Sequence, residues 1–280
     1  MKNFYIVTKD DKKENLELIG RIRSYLTERG AKCSYGVLRQ GDQPVEFPAD
    51  LDVILTVGGD GTLIRAADQS MGSHAPLLGI NRGHLGYLCD LDESNLEESL
   101  QVLLDGSYEL EERMLLTGCV YDKAGNPKGD YQVALNDVVI SSHNGLQVMH
   151  MVVYVNGEML YSFNGDGMIF ATPTGSTAYN LSAGGPIVDP KTQLILMTPL
   201  NAHVVGSRSI ILDAEDEIAL EMIPRREDEK AAAVSFDGST YVQLEQGDRV
   251  YVKKSPEVIR FIKLSRMNFL DRIRSKLQAD

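Results

Sequence analysis

No apolar run in this chain reaches membrane-spanning length, so a bilayer-crossing protein is not expected. The three cysteines, Cys33, Cys89 and Cys119, are scattered, with no CxxC or metal-ligand spacing. That argues against a disulfide framework or a zinc site and for reduced thiols. Basic residues are the minority: 28 Lys and Arg face 40 Asp and Glu, for a net charge of −12. An acidic chain without a basic stripe is a poor nucleic-acid binder. The opening MKNFYIVTKDDKKENLE has no secretory h-region, so the expected location is cytoplasmic. GxxxxGK[ST] is missing, which excludes a P-loop NTPase, and no GxGxxG follows the first strand pattern. Kinase HRD/DFG sets, HExxH and GxSxG are missing too. The histidines, among them His84 and His143, show no ligand spacing, and no repeat or low-complexity segment appears.

What is present is a chain of 280 residues, 43% hydrophobic and 24% charged, long enough for two modest domains with a filled core. Up to about residue 112 strand and helix patterns alternate. Strands are expected at 4–9, 31–38, 51–57 and 76–80. Helices are expected at 13–29, where Leu16, Ile19, Ile22 and Leu26 recur at helical spacing, at 62–70 and at 94–104. Such alternation predicts a mostly parallel sheet carrying helices on both faces. The segment GDQPVEFPAD reads as a loop. Beyond Arg113 the chain is nearly all strand. Asn156-Gly157 is a strong hairpin signal there, and RVYVKK and EVIRFIKL read as two late strands. A short amphipathic helix is expected over 268–278.

The stretch LDVILTVGGDGT (51–62) carries the sharpest chemistry. A β-branched run stops at Gly58-Gly59, one acid follows, and then a helix begins. This geometry puts Asp60 at the carboxyl edge of a sheet, where α/β proteins bind ligands. The glycines let a ligand approach the backbone, and Asp60 is expected bare on a turn of free N–H groups. The plainer alternative is a βα connection with an acidic N-cap. A second loop of this kind, NRGHLGYL (81–88), follows the strand at 76–80. In ATPTGSTAYNLSAGGPIV (171–188), hydroxyl and amide side chains crowd among small residues. Gly175-Ser176-Thr177 reads as a helix start, and Gly184-Gly185-Pro186 as its end. This suits a ribose or pyrophosphate, with Tyr179 adding stacking area, and it equally suits a capped surface helix. Asn136-Asp137 interrupts a strand pattern, as a binding site or a bulge would. Asp166 in NGDG is a turn residue on its own.

Taken together, GGDGT (58–62), NRGHLGYL (81–88), LNDVVI (135–140), DGMIFATPTGSTAYNLSAGGPIV (166–188) and the late Asp237-Gly238 resemble the bacterial NAD kinase family, in that family's order and over most of the chain. GGDGT alone is shared with diacylglycerol and sphingosine kinases, whereas the TPTGSTAYxLSAGGP block is specific. The resemblance implies an NAD kinase/diacylglycerol kinase-like fold. Its N-terminal α/β domain (1–112) has a Rossmann-like parallel sheet and carries GGDGT. Its β-rich NAD-binding domain covers 113–264, and a tail (265–280) packs back on the first domain. The activity implied is transfer of the terminal phosphate of ATP, another nucleoside triphosphate or polyphosphate to the adenosine ribose 2′-hydroxyl of NAD, giving NADP.

The family also implies roles residue by residue. Asp60 is the catalytic group facing the hydroxyl, with Gly61 beside it and Arg65 near the dinucleotide. Asn136, Asp137, Asn164 and Asp166 contact NAD. Thr174, Thr177, Ala178, Tyr179, Asn180, Leu181 and Ser182 line its pocket. Separately from the resemblance, the N–H groups of the glycine turn make Gly58, Gly59, Gly61 and Thr62 the candidate phosphate-donor loop. No protein-held metal is implied; Mg²⁺ or another divalent ion accompanies the donor, and a homodimer or homotetramer is expected. Two positions depart from the commonest family pattern. Asp137 stands where many relatives have Glu, and Asn164 stands where many have Arg or Lys, leaving Arg65 and Arg82 as the nearest motif cations. The rival assignments are a lipid kinase and a non-catalytic NAD(H) sensor. Against the first, the chain lacks a GTGND-type motif and an apolar docking stretch; against the second stands the intact Asp60.

Overall fold

A computed structural model describes residues 1–38, 45–82, 86–142, 148–203, 207–223, 232–265 and 267–278. His84, His143 and parts of the loops expected at 41–50 and 81–88 lie outside the described residues. The chain forms two compact units, Met1–Glu112 with Ile259–Asp280, and Arg113–Val258.

Unit 1 begins with β1 (Asn3–Thr8), α1 (Lys13–Glu28), β2 (Lys32–Val37), β3 (Val53–Val57), α2 (Asp60–Gln69), β4 (Leu77–Asn81), β5 (Leu91–Asp92) and α3 (Leu96–Leu104). Its strands are parallel, in the order β4-β3-β1-β2, with β5 on the outer edge of β4. β3 and β4 are buried along their whole length, which is why they read as continuous apolar runs. Phe4, Ile6, Val53, Leu55, Leu78 and Ile80 point to one face, against α1 and α3. On α1 the inward stripe is Leu18, Ile19, Ile22 and Leu26; Leu16, expected inside, is 38% exposed because it lies at the rim of that stripe. α2 packs on β1, β3 and β4 through Leu63, Ala66 and Ala67.

Unit 2 is a pair of antiparallel sheets. It is built from β6 (Glu109–Tyr121), β7 (Gln132–Ala134), β8 (Asp137–Ser142), β9 (Met149–Val155), β10 (Glu158–Gly165), β11 (Gly167–Ala171), a short α4 (Tyr179–Ser182), β12 (Leu194–Leu200), β13 (Ile210–Asp213), β14 (Ile218–Ile223), β15 (Ala232–Phe236), β16 (Thr240–Leu244) and β17 (Arg249–Lys263). One sheet runs β10-β9-β14-β17, with β6 beside β17 and β7 beside β6; the other runs β13-β12-β11-β8-β15-β16. Alternate residues of both sheets meet in one core, including Met151, Val153, Leu220 and Val250 from the first and Ile140, Phe170, Met197 and Phe236 from the second. The Asn156-Gly157 hairpin forms as expected, with φ of +52° and +82°.

β17 is one strand where two were expected. Exposed Pro256 falls beyond Arg249–Val252, the residues paired with β14, and so removes no donor from that ladder. The last residues of β17 belong to unit 1, where Phe261 pairs in parallel with Leu77. Helix α5 (Phe269–Leu277) follows, with a full capping box from Asn268 and Asp271.

Candidate active site

β3 ends at Val57 and α2 starts at Asp60, so Gly58 and Gly59 must turn the chain within two residues. Gly58 takes φ +155°, and a Cβ there would lie 2.3 Å from the Thr62 hydroxyl. Its N–H is already spent on the Ile80 carbonyl at 3.0 Å, so Gly58 does not serve the expected phosphate cradle as a donor. Thr62 is likewise turned inward, 2% exposed with an unpartnered Oγ1. In the first turn of α2 the Thr62 N–H goes to the Gly59 carbonyl at 2.9 Å, so the donors that remain for an anion are the Asp60 and Gly61 N–H groups.

Asp60 is not bare. Its Oδ2 accepts from the Tyr87 N–H at 2.7 Å, and its Oδ1 from the Leu88 and Cys89 N–H groups, both at 3.1 Å. The physical reason is desolvation: a half-buried carboxylate needs donors, and the chain after β4 supplies three consecutive ones. That approach depends on two further glycines. A Cβ on Gly86 would sit 2.1 Å from Asp60 Oδ1, and one on Gly79 would sit 2.8 Å from the Cys89 sulfur. A carboxylate offers about four acceptor sites. Three are taken, which leaves roughly one, on Oδ2, for an incoming hydroxyl. Burial and the Asp60 charge push the Cys89 thiol up, so it stays protonated.

The two motif cations separate. Arg82 is committed, donating to Asn15 at 2.7 Å and pairing with Glu14 and Glu93. Arg65, half-buried on α2, makes no hydrogen bond or ion pair with the described residues.

In unit 2, the strand pattern at 132–142 breaks at Leu135-Asn136. The cause is Asp237, a residue with no role expected at the outset. It sits at φ +48°, and its carboxylate accepts from the N–H groups of Leu135 (2.6 Å), Asn136 (2.7 Å) and Asp137 (3.1 Å). With the Leu135 and Asn136 donors taken, β8 starts only at Asp137. The sequence signal was Asp-Gly after a strand, which by itself reads as a turn. Asp137 is 6% exposed; burial, and then the Asp237 charge, raise its pKa from 3.8 to about 7.

The polar turn is latched to this break. The Thr172 N–H and hydroxyl donate to the Asn136 and Leu135 carbonyls, and a Cβ on Gly175 would lie 2.0 Å from the Asn136 oxygen. The single helix expected over 175–184 is a 3-10 turn at Thr174–Thr177 and the four-residue α4, split at Ala178. Buried side chains compete for the backbone there. The Asn180 amide donates to the Ser176 and Pro186 carbonyls and accepts from Thr198, and Ser176 exchanges hydrogen bonds with Val188. Asn180, expected against the dinucleotide, is 0% exposed and acts as an internal brace. Thr174 is buried with an unpartnered hydroxyl. Thr177, Ala178 and Leu181 are half-buried, whereas Tyr179 and Ser182 are exposed. Asp166 accepts from Asn201 at 2.8 Å, and Asn164 Oδ1 lies 2.9 Å from His150 Nδ1. A cavity of about 710 Å³ beside Tyr121, Lys123, Tyr131 and Arg249 takes in none of the expected site residues. Among the described residues no cluster of His, Cys, Asp and Glu has the makings of a metal site.

A parallel sheet carrying a glycine-set acid, followed in the chain by a pair of antiparallel sheets with a hydroxyl-rich turn, defines a two-domain protein of the α/β-plus-β class. Residues 40–108 match the model of the ATP-NAD kinase N-terminal domain, and residues 135–264 that of the C-terminal domain. The NAD kinase of Lachnospira eligens is 39% identical, over 99% of this chain and 100% of its own. That of Agathobacter rectalis is 40% identical, over 99% of each. Among solved structures, an Archaeoglobus fulgidus NAD kinase in complex with ATP superposes with a TM-score of 0.81 at 25% identity over 99% of each chain. The yeast NADH kinase complexed with NADH gives 0.87 at 23% identity, over 99% of this chain and 87% of its own, and bears on the fold alone. The chain belongs to the NAD kinase family.

Proposed function

We propose that this protein transfers the terminal phosphate of ATP, or of another nucleoside triphosphate or polyphosphate, to the adenosine ribose 2′-hydroxyl of NAD. The observation that carries this is Asp60, held by three backbone N–H groups with about one acceptor site left open. A ribose hydroxyl donating to that site has its oxygen aimed by a carboxylate that is already fixed. Phosphoryl transfer passes through a loose transition state with little early need for proton removal. Asp60 therefore acts chiefly by alignment, and general-base help adds at most about 10²–10⁴-fold. The Asp60 and Gly61 N–H groups, in the first turn of the ten-residue α2, are our candidates for donor phosphate oxygens, with Arg65 as the uncommitted cation. The divalent ion arrives with the donor.

For the dinucleotide we assign the half-exposed Asn136, Asp137 beside it, Asp166, Thr177 and the exposed Tyr179 and Ser182 as contacts. Asn180 supports them from behind. We further propose a homo-oligomer in the cytoplasm; the described cysteines are all unpaired, as a reducing compartment requires.

Purified protein supplied with NAD, ATP and Mg²⁺, with NADP read out by an NADP-specific dehydrogenase, tests the assignment. NADP accumulation is expected. Phosphorylation of diacylglycerol vesicles in a parallel reaction without NADP formation overturns it, and so does NAD binding without turnover.

A further inference from the structure

Arg272, on α5, is 7% exposed and makes three bonds. Its Nη1 donates to the Cys89 carbonyl at 2.6 Å and to the Gly86 carbonyl at 3.4 Å, and its Nη2 donates to Asp90 Oδ1 at 2.6 Å. Asp90 also receives the Leu264 and Ser265 N–H groups, both at 2.7 Å, and the Ser265 hydroxyl at 2.6 Å. An anchor for the returning chain needs no more than this Asp90 cluster. The two carbonyl bonds do something else.

The peptide group that gives its C=O to Arg272 at Gly86 is the same one that gives its N–H to Asp60 at Tyr87. Cys89 is held on both sides too, through two consecutive peptide groups: its N–H goes to Asp60 and its C=O accepts from Arg272. Residues 86–89 are thus gripped from both sides, a guanidinium on the carbonyls and a carboxylate on the amides. Hydrogen bonds arranged in series polarise one another, so across the Gly86–Tyr87 peptide group the cation strengthens a donor that Asp60 uses. Three backbone N–H groups hold the Asp60 carboxylate, and the Cys89 thiol also bonds to it.

We propose that Arg272 is a positioning residue for Asp60, acting through the peptide groups of 86–89. This rests on the role given to Asp60 above. A lysine keeps the charge but cannot span two carbonyls and a carboxylate at once.

The test is a double-mutant cycle on the full chain, with Arg272→Lys and Asp60→Asn alone and combined, reading kcat, the KM for NAD and Tm. Arg272→Lys is expected to lower kcat about 10- to 100-fold with the NAD KM within about twofold. In the Asp60→Asn background the same change should cost less than about twofold, because the carboxylate it serves is gone. If Arg272→Lys keeps wild-type kcat, or loses the same factor in both backgrounds, the proposal is overturned. Should Arg272→Lys not fold, Arg272→Gln, which keeps one donor toward the Cys89 carbonyl, takes its place under the same criteria. If Asp60→Asn itself turns over normally, the role of Asp60 fails first, and that result is distinct from either outcome at Arg272.

Discussion

Asp60 and Asp137 are both half-hidden or buried acids, yet their surroundings treat them in opposite ways. Three amides receive Asp60. Asp137 is buried beside a second carboxylate, Asp237, and its pKa rises from 3.8 to about 7. A raised carboxyl pKa means that the folded state holds its proton longer than the unfolded chain does. The stability that proton contributes is fully present below about pH 4 and is lost as the pH rises through about 7. Asp137→Asn should therefore melt higher than wild type at pH 8, by up to roughly 4 kcal/mol of stability, and lose that advantage toward pH 4. Substrate-free melting curves at the two pH values decide it, and equal differences at both would contradict the raised pKa that burial and Asp237 give Asp137. Tyr179, 47% exposed, is predicted to matter only for binding: Tyr179→Ala raises the KM for NAD about tenfold and that for ATP far less, measured by steady-state kinetics. Sequence patterns bring out an acid at a strand's end. They do not bring out its partners, because amides 27 to 29 positions away carry no side-chain signature.

At the scale of elements, close approaches of backbone decide where the polar side chains stand. Gly86 and Gly175 each face an oxygen that an added methyl would strike, at 2.1 and 2.0 Å respectively. The methyl at 86 meets the Asp60 carboxylate and pushes it away from its amides, so Gly86→Ala should lower kcat by about 10²-fold while NAD still binds. The methyl at 175 meets the Asn136 backbone and unlatches the polar turn, so Gly175→Ala should weaken NAD binding before it affects the catalytic step. Titrating NAD into each variant separates the two, and a reversed pattern would contradict the assignment. The turn between β3 and α2 was legible because a β-branched run ends at glycine and a helical period follows. The split at Ala178 was not legible, since it comes from Asn180 and Ser176 reaching the carbonyls of Pro186 and Val188. The same holds for Leu135-Asn136, where a residue a hundred positions on takes the amides of a strand. Local pattern marked β17 as two strands, RVYVKK and EVIRFIKL, but Pro256 between them falls where no ladder with β14 needs its donor.

Across the whole molecule, 40 acids oppose 28 bases, and the proposed donor is itself a polyanion. Net repulsion of this kind slows the approach of an anion unless a counter-ion travels with it. Chelating divalent ions with EDTA should accordingly abolish turnover while leaving NAD affinity within about twofold, as read by calorimetry; unchanged turnover would contradict the role of the metal-bound donor. The division into units is only partly written in the pattern: helix–strand alternation giving way to strands is visible, whereas the return of Ile259–Asp280 to unit 1 rests on long-range contacts such as Arg272 with Asp90.

The most direct test of the central claim is kcat for Asp60→Asn at saturating NAD, ATP and Mg²⁺, alongside its dissociation constant for NAD. Asparagine turns an amide N–H₂ toward at least one of the three backbone donors and costs about 1–3 kcal/mol of stability, so the comparison is made below the variant's own Tm. A loss of about 10²-fold or more in NADP formation, with NAD still bound, is the predicted result. Turnover close to wild type would show that this carboxylate does not align the ribose hydroxyl.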